Sequence, residues 1–110
     1  MDLYNDIQNK LKELDIAIHS LRKTGNEYAD AERNYKIKLR EEALKLRSED
    51  KLPVTLIQQT IYGVKSVADL RFQRDIKETM YKANLEAIQS IKLQIKILDN
   101  QIEREWGNTK

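Results

Sequence analysis

The sequence predicts an all-α protein in which two long helices fold back on each other as an antiparallel coiled-coil hairpin. Three observations predict this fold. The 110 residues include one proline and three glycines, too few turn-forming residues for a sheet protein of this size. Lys, Glu, Leu, Ile, Ala and Gln dominate, which is the composition of long helices. Apolar residues recur at spacings of three and four in both halves of the chain, as along a helical seam.

The first heptad run predicts one helix from about residue 3 to residue 48. Thr24-Gly25-Asn26 would by itself suggest a turn, but the positions after it keep the phase of the positions before it. We therefore expect Gly25 to lie on the seam of a continuous helix. The predicted seam positions are Tyr4, Ile7, Leu11, Leu14, Ile18, Leu21, Gly25, Tyr28, Glu32, Tyr35, Leu39, Glu42 and Leu46.

Residues 49–65 form the predicted connector. The stretch that precedes Pro53 is polar, and a proline disfavours helix at the residue before it, so the first helix should end near Ser48. The residues from Val54 to Tyr62, followed by Gly63, predict a short connecting helix that begins at a proline. The β-branched residues of this stretch leave a β-hairpin as the alternative.

The second heptad run predicts a helix from about residue 66 to residue 106, with Ser66 as its N-cap and Gly107 as its terminator. Residues 1–110 thus form a single helical-hairpin domain. Folding the helices together pairs residues whose numbers add up to about 112. The predicted seam positions are Val67, Leu70, Arg74, Lys77, Tyr81, Asn84, Ile88, Ile91, Ile95, Leu98, Ile102 and Glu105.

Apolar residues on the far side of each helix predict that the hairpin is homo-oligomeric. A hairpin alone would leave these side chains in water, and apolar residues on two faces of a helix require two partner surfaces. They are Ile16, Ile37 and Leu44 on the first helix, and Phe72, Ile76, Ala83, Leu93 and Ile97 on the second.

The composition of the chain excludes several classes of binding partner and site. A net charge of +2, with the signs interspersed, gives too weak a field for direct nucleic-acid binding or for an anionic membrane. The chain has no cysteine, which excludes disulfides and zinc-thiolate sites. The N-terminal residues lack the pattern of a signal peptide, and no apolar run has the length of a membrane span. We expect a soluble protein that stays where it is made.

The centre of the predicted seam is polar and is the candidate site. Buried charges require partners, so this cluster is either a network that fixes the helix register or a pocket. A pocket would hold an anionic, nucleotide-like small molecule, with Arg and Lys binding phosphate and the tyrosines stacking on a planar ring. The candidate ligand-binding residues are Tyr28, Tyr35, Arg74, Lys77, Tyr81 and Asn84, with Glu32 as a possible counter-charge.

Catalysis is not predicted. His19 is the single histidine and lies beside the seam, so we expect it to be solvated. A carboxylate-bridged di-metal bundle needs two Glu-x-x-His motifs, and a chain with one histidine does not supply them. The sequence has no phosphate-binding loop, nucleophile elbow or dinucleotide fingerprint. We expect no enzyme activity, no cofactor and no metal.

Three stretches resemble a family of small helical proteins, of unassigned activity, that phages and prophages of Gram-positive bacteria encode. The stretches are Leu11–Leu14 through Leu21–Ala29, Pro53–Ile57, and Tyr81–Ile88 through Gln101–Trp106. The resemblance implies an accessory phage protein in the bacterial host cytoplasm. One hypothesis is an oligomeric binding protein that counters host defence by sequestering a nucleotide-derived immune signal. The alternative is a coiled-coil adaptor or chaperone-like protein that binds phage assembly, replication or recombination proteins.

Overall fold

A computed structural model describes residues 2–108 of the chain. Helices account for 93% of these residues, and the described part of the chain contains no strand. The elements in chain order are α1 (Leu3–Ser48), α2 (Val54–Thr60), a 3-10 helix (Ile61–Gly63) and α3 (Lys65–Asn108). The predicted all-α class, with two long helices and a short one, is confirmed.

Helix α1 runs without a break through the Thr24-Gly25-Asn26 stretch. The heptad phase, rather than the local turn propensity, therefore predicted this region correctly. A single glycine costs a helix interior only about 1 kcal/mol relative to alanine. Helix-forming residues and side-chain packing on both sides of Gly25 offset a cost of this size.

The C-terminus of α1 is closed by a left-handed residue. Lys51 has a φ of 54°, and the backbone N–H of Leu52 donates to the carbonyl of Leu46 at 3.0 Å. This bond reaches back beyond the usual helical spacing of four and provides a partner for one of the last carbonyls of the helix. Most such positions carry glycine, because a side chain strains the left-handed conformation.

The connector is helical. Pro53, with φ at −65°, precedes the first turn of α2, and its carbonyl accepts hydrogen bonds from the backbone N–H groups of Leu56 and Ile57. The chain then tightens into the 3-10 helix, which ends at Gly63. The prediction of a short helix is confirmed, and the alternative β-hairpin is wrong. Local hydrogen bonds started by the proline outweigh the β propensity of the branched side chains.

Helix α3 is slightly longer than predicted at both ends. It begins at Lys65, so Ser66 lies in its first turn instead of capping it, and it continues through Gly107 to Asn108. The hydrogen bond from the N–H of Ala68 to the carbonyl of Val64 (2.8 Å) starts the helical ladder before Ser66. Deviations of one or two residues are usual at helix ends.

The chain divides into two compact units. One unit is Gly25–Met80, and the other combines the residues up to Thr24 with those from Tyr81 onward. In Gly25–Met80 the connector packs on both long helices around Tyr35, Ile61 and Val67, which are at most 5% exposed. The partly buried apolar residues of this cluster are Leu39, Ala43, Leu46, Ile57, Val64 and Leu70.

In the other unit, the predicted seam of α1 is confirmed in part: Ile7, Leu14 and Leu21 are partly buried as predicted, but the positions between them differ. Leu11 and Ile18 were predicted on the seam but are 44% and 47% exposed, whereas Ala17 and Thr24 are partly buried. The side chain of Asn84 on α3 hydrogen-bonds to Thr24 and to the carbonyl of Ala17, which both lie on this inward face. A partly buried amide needs hydrogen-bond partners, and Ala17 and Thr24 supply them.

Replacing Lys51 with glycine should stabilise the protein by about 1 kcal/mol, since glycine adopts the left-handed conformation without strain. Chemical denaturation of Lys51→Gly measures this change in the free energy of unfolding. Lys51→Ala is the control, because alanine keeps the Cβ atom that causes the strain. Equal stability of the glycine and alanine variants would show that the Lys51 backbone is unstrained.

Candidate functional site

The six predicted site residues divide between the two units. Tyr28, Tyr35, Arg74 and Lys77 lie in Gly25–Met80, and Tyr81 and Asn84 lie in the other unit. All six are buried or partly buried, as expected of residues on a seam. The structure brings together residues of α1 and α3 within each unit.

Tyr28 of α1 hydrogen-bonds to the carboxylate of Glu78 on α3. Its hydroxyl donates a short hydrogen bond of 2.6 Å to Oε2 of Glu78. This hydrogen bond, with desolvation and the charge of Glu78 as lesser causes, raises the pKa of Tyr28 from 10.0 to about 12. Ionisation of the phenol would place two anions in contact, so the contact favours the neutral phenol. Tyr28 is held here by Glu78, and its hydroxyl is used in that bond.

Lys77 has an acidic partner on α1. Its Nζ lies 3.1 Å from Oε2 of Glu27, and both side chains are about one-third exposed. An ion pair with this exposure is partly screened, so its contribution to stability is modest. Its effect on the choice of helix register is larger, because a register that left Lys77 without an acidic partner at this contact would be destabilised.

Arg74 makes three different contacts. Its guanidinium lies 4.7 Å from the ring centroid of Tyr35, a distance at which a cation binds an aromatic face. The guanidinium also hydrogen-bonds to Asp75 and lies 3.8 Å from Oε1 of Glu32. The hydrogen bond with Asp75 raises the pKa of Arg74 above its already high ordinary value. Arg74 thus connects a buried aromatic ring of α1 to two carboxylates.

Asn84 holds the two helices together in the other unit. Its amide nitrogen donates to the carbonyl of Ala17 at 3.0 Å, and its amide oxygen accepts from the hydroxyl of Thr24 at 3.0 Å. Both the donor and the acceptor of the amide are therefore used in contacts with α1. Tyr81, the sixth predicted residue, is partly buried in the same unit.

The ion pairs correct the predicted register. A pairing in which residue numbers add up to about 112 would have placed Lys77 opposite Tyr35 and Arg74 opposite Lys38. Instead Lys77 contacts Glu27 and Arg74 contacts Glu32, which shifts the pairing by about two helical turns. A slide of one heptad keeps the apolar seam in phase. Opposite charges therefore decide between registers that the apolar pattern does not distinguish.

Sequence reasoning missed the partners Glu27, Glu78 and Thr24. Each stands beside a seam position in the sequence, at a flanking site where charged residues of coiled coils commonly select the partner. Pairing the flanking charges of both helices would have found the Glu27–Lys77 contact. The two hydrogen bonds of Asn84 have no comparable signal, because they depend on how α1 is rotated about its axis.

Other features of the described chain point to no further chemistry. His19 is exposed, and its Nδ1 lies 2.8 Å from the carbonyl of Asp15 in the same helix. Within residues 2–108, no group of three or more His, Cys, Asp or Glu residues is arranged to hold a metal. Over the same range, no helix combines the length and apolar character needed to span a membrane. The chain matches no family model, and no curated protein or solved structure is significantly similar to it.

Removing the Tyr28 hydroxyl should change the pH dependence of stability. Because the pKa of Tyr28 is raised from 10.0 to about 12, the Tyr28–Glu78 contact stabilises the folded state fully below pH 10.0 and less as the pH rises toward 12. We expect Tyr28→Phe to melt below the native protein at neutral pH, and this difference to shrink above pH 10.0. Melting curves measured by circular dichroism across this range are the test.

Tyr62→Phe is the control for that pH series, because Tyr62 is exposed and lies under Arg71 instead of donating to Glu78. It should retain the alkaline loss of stability of the native protein. Parallel pH profiles for Tyr28→Phe and the native protein would contradict the raised pKa.

Asn84→Ala should destabilise the protein by about 0.5–1.5 kcal/mol, because it removes the hydrogen bonds of the amide to the hydroxyl of Thr24 and to the carbonyl of Ala17. A double-mutant cycle with Thr24→Val should recover a coupling energy of about 0.5–1.5 kcal/mol. Asn34→Ala, an exposed site on α1, is the control and should change stability by less than about 0.5 kcal/mol. A zero coupling energy would contradict the Thr24–Asn84 hydrogen bond.

Proposed function

We propose that this protein is a non-enzymatic coiled-coil adaptor, in which α1 and α3 form an antiparallel hairpin that associates with further copies of itself. The direction of the contacts in Gly25–Met80 supports the hairpin. From Glu27 to Glu32 along α1, the charge partner moves back from Lys77 to Arg74 along α3. The connector, folded onto both helices around Val67, supports the same arrangement.

One observation carries the choice of an adaptor over a small-molecule binder: the cations of the polar seam are already matched by carboxylates. Arg74 contacts Asp75 and Glu32, and Lys77 contacts Glu27. An anionic ligand would have to displace these carboxylates or lie beside them, and either adds repulsion to the cost of binding. Internal pairing is the arrangement expected where polar residues serve register and specificity.

The distribution of apolar side chains supports self-association. Among the described residues, fifteen large hydrophobic side chains are exposed and four hydrophobic residues are buried. Single exposed hydrophobic residues are ordinary on a protein surface, but several aligned on one helix face favour a partner surface. A chain of 110 residues in two long helices has little apolar core of its own, and association supplies more.

The hypothesis of an oligomeric protein that counters host defence by sequestering a nucleotide-derived immune signal, called the sponge hypothesis below, stays a prediction. It requires Arg74 and Lys77 to exchange their carboxylate partners for phosphate, and Tyr28 or Tyr35 to offer a ring face to a base. The ring of Tyr35 is buried under the guanidinium of Arg74. Binding would therefore require this part of the seam to open.

The biological setting stays a proposal that rests on the resemblance to small phage proteins. In the bacterial cytoplasm, an adaptor of this kind would bind phage assembly, replication or recombination proteins. Its charge balance supports protein partners more than nucleic acid, since a formal charge of +2 provides little attraction for phosphate backbones.

We expect a solution mass at least twice the chain mass of 13.0 kDa, because association covers the exposed apolar side chains. Light scattering coupled to size exclusion at micromolar concentration measures it. A monomer under these conditions would remove the proposal of self-association.

A thermal-shift panel of cyclic oligonucleotides and ADP-ribose derivatives distinguishes the adaptor from the sponge. We expect no shift, whereas a ligand at 100 times its dissociation constant would stabilise the protein by about 2.7 kcal/mol. A shift that Arg74→Ala abolishes and Arg71→Ala retains would favour the sponge. Arg71 is the matched control because its guanidinium also lies over a tyrosine ring, that of Tyr62.

A further inference from the structure

Two exposed apolar residues lie side by side on α3, in the compact unit that contains α3 from Tyr81 onward. Leu93 is 58% exposed and Ile97 is 48% exposed, and a spacing of four residues makes them neighbours on one side of the helix. Each stands two residues after a partly buried seam residue, Ile91 or Ile95. Two residues correspond to about 200° of rotation around a helix, so this apolar pair points away from the seam of its own unit.

Opposite charges stand at the two ends of this apolar pair. Glu86 precedes Leu93 by seven residues, and Arg104 follows Ile97 by seven residues, so both lie on the same side of α3 as the apolar pair. Both are exposed. The Nε atom of Arg104 contacts the carbonyl of Asn100 in its own helix instead of a carboxylate. One anion and one cation therefore flank the apolar pair at equal distances along the helix.

Two further blocks of charge lie on the adjoining side of α3. Lys92 and Lys96 form a positive block, and Asp99 and Glu103 form a negative block that follows it; all four side chains are exposed. Like charges that are four residues apart destabilise a helix. Each block therefore favours a partner that brings the opposite charge to it.

None of these six charged side chains belongs to an ion pair within residues 2–108. The seam cations Arg74 and Lys77 differ, because their own chain supplies their carboxylate partners. Single exposed charges are ordinary on a protein surface. Here, however, the order of the six signs read backward along α3 is the inverse of their order read forward. An antiparallel copy of the same helix therefore matches them.

We infer that a second copy of this chain docks on this side of α3, with its own α3 antiparallel to that of the first copy. This inference rests on the self-association proposed above and names its surface. In this alignment Leu93 meets Ile97 of the second copy, and Glu86 meets Arg104 of the second copy. A twofold axis level with Ile95 repeats both contacts. The surface is self-complementary, as an isologous dimer requires, and it lies within one compact unit.

The two charged blocks also match in this alignment. Lys92 stands three residues before Ile95, and Asp99 stands four residues after it. The twofold axis thus brings Lys92 level with Asp99 of the second copy to within one residue, about 1.5 Å along the helix, and does so twice. The two Lys96 side chains lie next to the axis. Each has Asp99 of its own helix three residues further on, a spacing at which side chains are neighbours.

Charge selects antiparallel over parallel pairing. A parallel dimer in register would place each of the six charged residues beside the same residue of the second copy, and like charges in contact are unfavourable. Between the apolar centre and the charged ends, antiparallel pairing sets Ser90 opposite Asn100 of the second copy. A serine hydroxyl donates to an amide oxygen, so these two polar side chains are suitable partners.

Leu93→Lys tests the docking surface. It places a cation in the apolar contact twice per dimer, beside the lysines already there, and should raise the dissociation constant of the dimer at least about 100-fold. Lysine is a good helix former, so the helical spectrum should stay unchanged. Ile16→Lys is the matched control, because Ile16 is 67% exposed in the same unit but lies on α1. Light scattering over a concentration series measures both variants beside the native protein.

The outcomes separate the two proposals. A dissociated Leu93→Lys beside an associated Ile16→Lys supports docking through α3. If Leu93→Lys stays associated, or if Ile16→Lys weakens association equally, the inference about α3 is overturned and self-association stands. A monomeric native protein overturns the proposed self-association and the inference together.

A charge swap tests the antiparallel direction separately. Glu86→Arg alone and Arg104→Glu alone each place like charges together twice in the antiparallel dimer, and each should raise the dissociation constant at least about 10-fold. The double variant, with both changes in one chain, restores two opposite pairs and should recover the native dissociation constant. In a parallel dimer each single variant would exchange one like-charge pair for another and leave association unchanged. Unchanged single variants, or a double variant that does not recover, would overturn the pairing of Glu86 with Arg104.

Discussion

A charge on a helix face that packs against another helix must meet an opposite charge, because an unpaired ion is expensive to remove from water. In Gly25–Met80 this constraint acts on Arg74 and Lys77 of α3, which contact Glu32 and Glu27 of α1. The apolar positions tolerate a slide of seven residues because they repeat with that period. The ion pairs do not repeat, so they favour one alignment of the two helices in this unit.

The sequence contained enough information to predict where the helices begin and end, but not which residues face each other. The helix limits depend on local causes: heptad phase carried α1 through Gly25, and Pro53 started α2. Register and rotation depend on long-range pairs. Asn84 hydrogen-bonds to Ala17 and Thr24, which lie inward, whereas Leu11 and Ile18 are exposed. An apolar pattern alone favours the aliphatic residues at these positions.

In the candidate site, too, the sequence predicted which residues lie on the seam but not which partners they contact. Seam periodicity correctly identified Tyr28, Arg74 and Lys77 as polar residues at the contact between α1 and α3 in Gly25–Met80. It did not identify Glu78 as the acceptor of the Tyr28 hydroxyl or Glu27 as the partner of Lys77, because both flank the seam. These carboxylates change the character of the cluster. Cations that resembled a phosphate site in the sequence are neutralised within the protein.

The position of the buried cluster bears on how the chain folds. Tyr35 and Val67 pack together with Ile61. Because Tyr35 and Val67 are only about thirty residues apart along the chain, bringing them together closes a short loop, and the entropy lost in closing it is small. Helical turns form within about a microsecond. We therefore expect the connector to bring the two long helices into contact first, after which the contact spreads away from it. Fast folding of this kind shortens the time during which exposed apolar side chains of unfolded chains can aggregate.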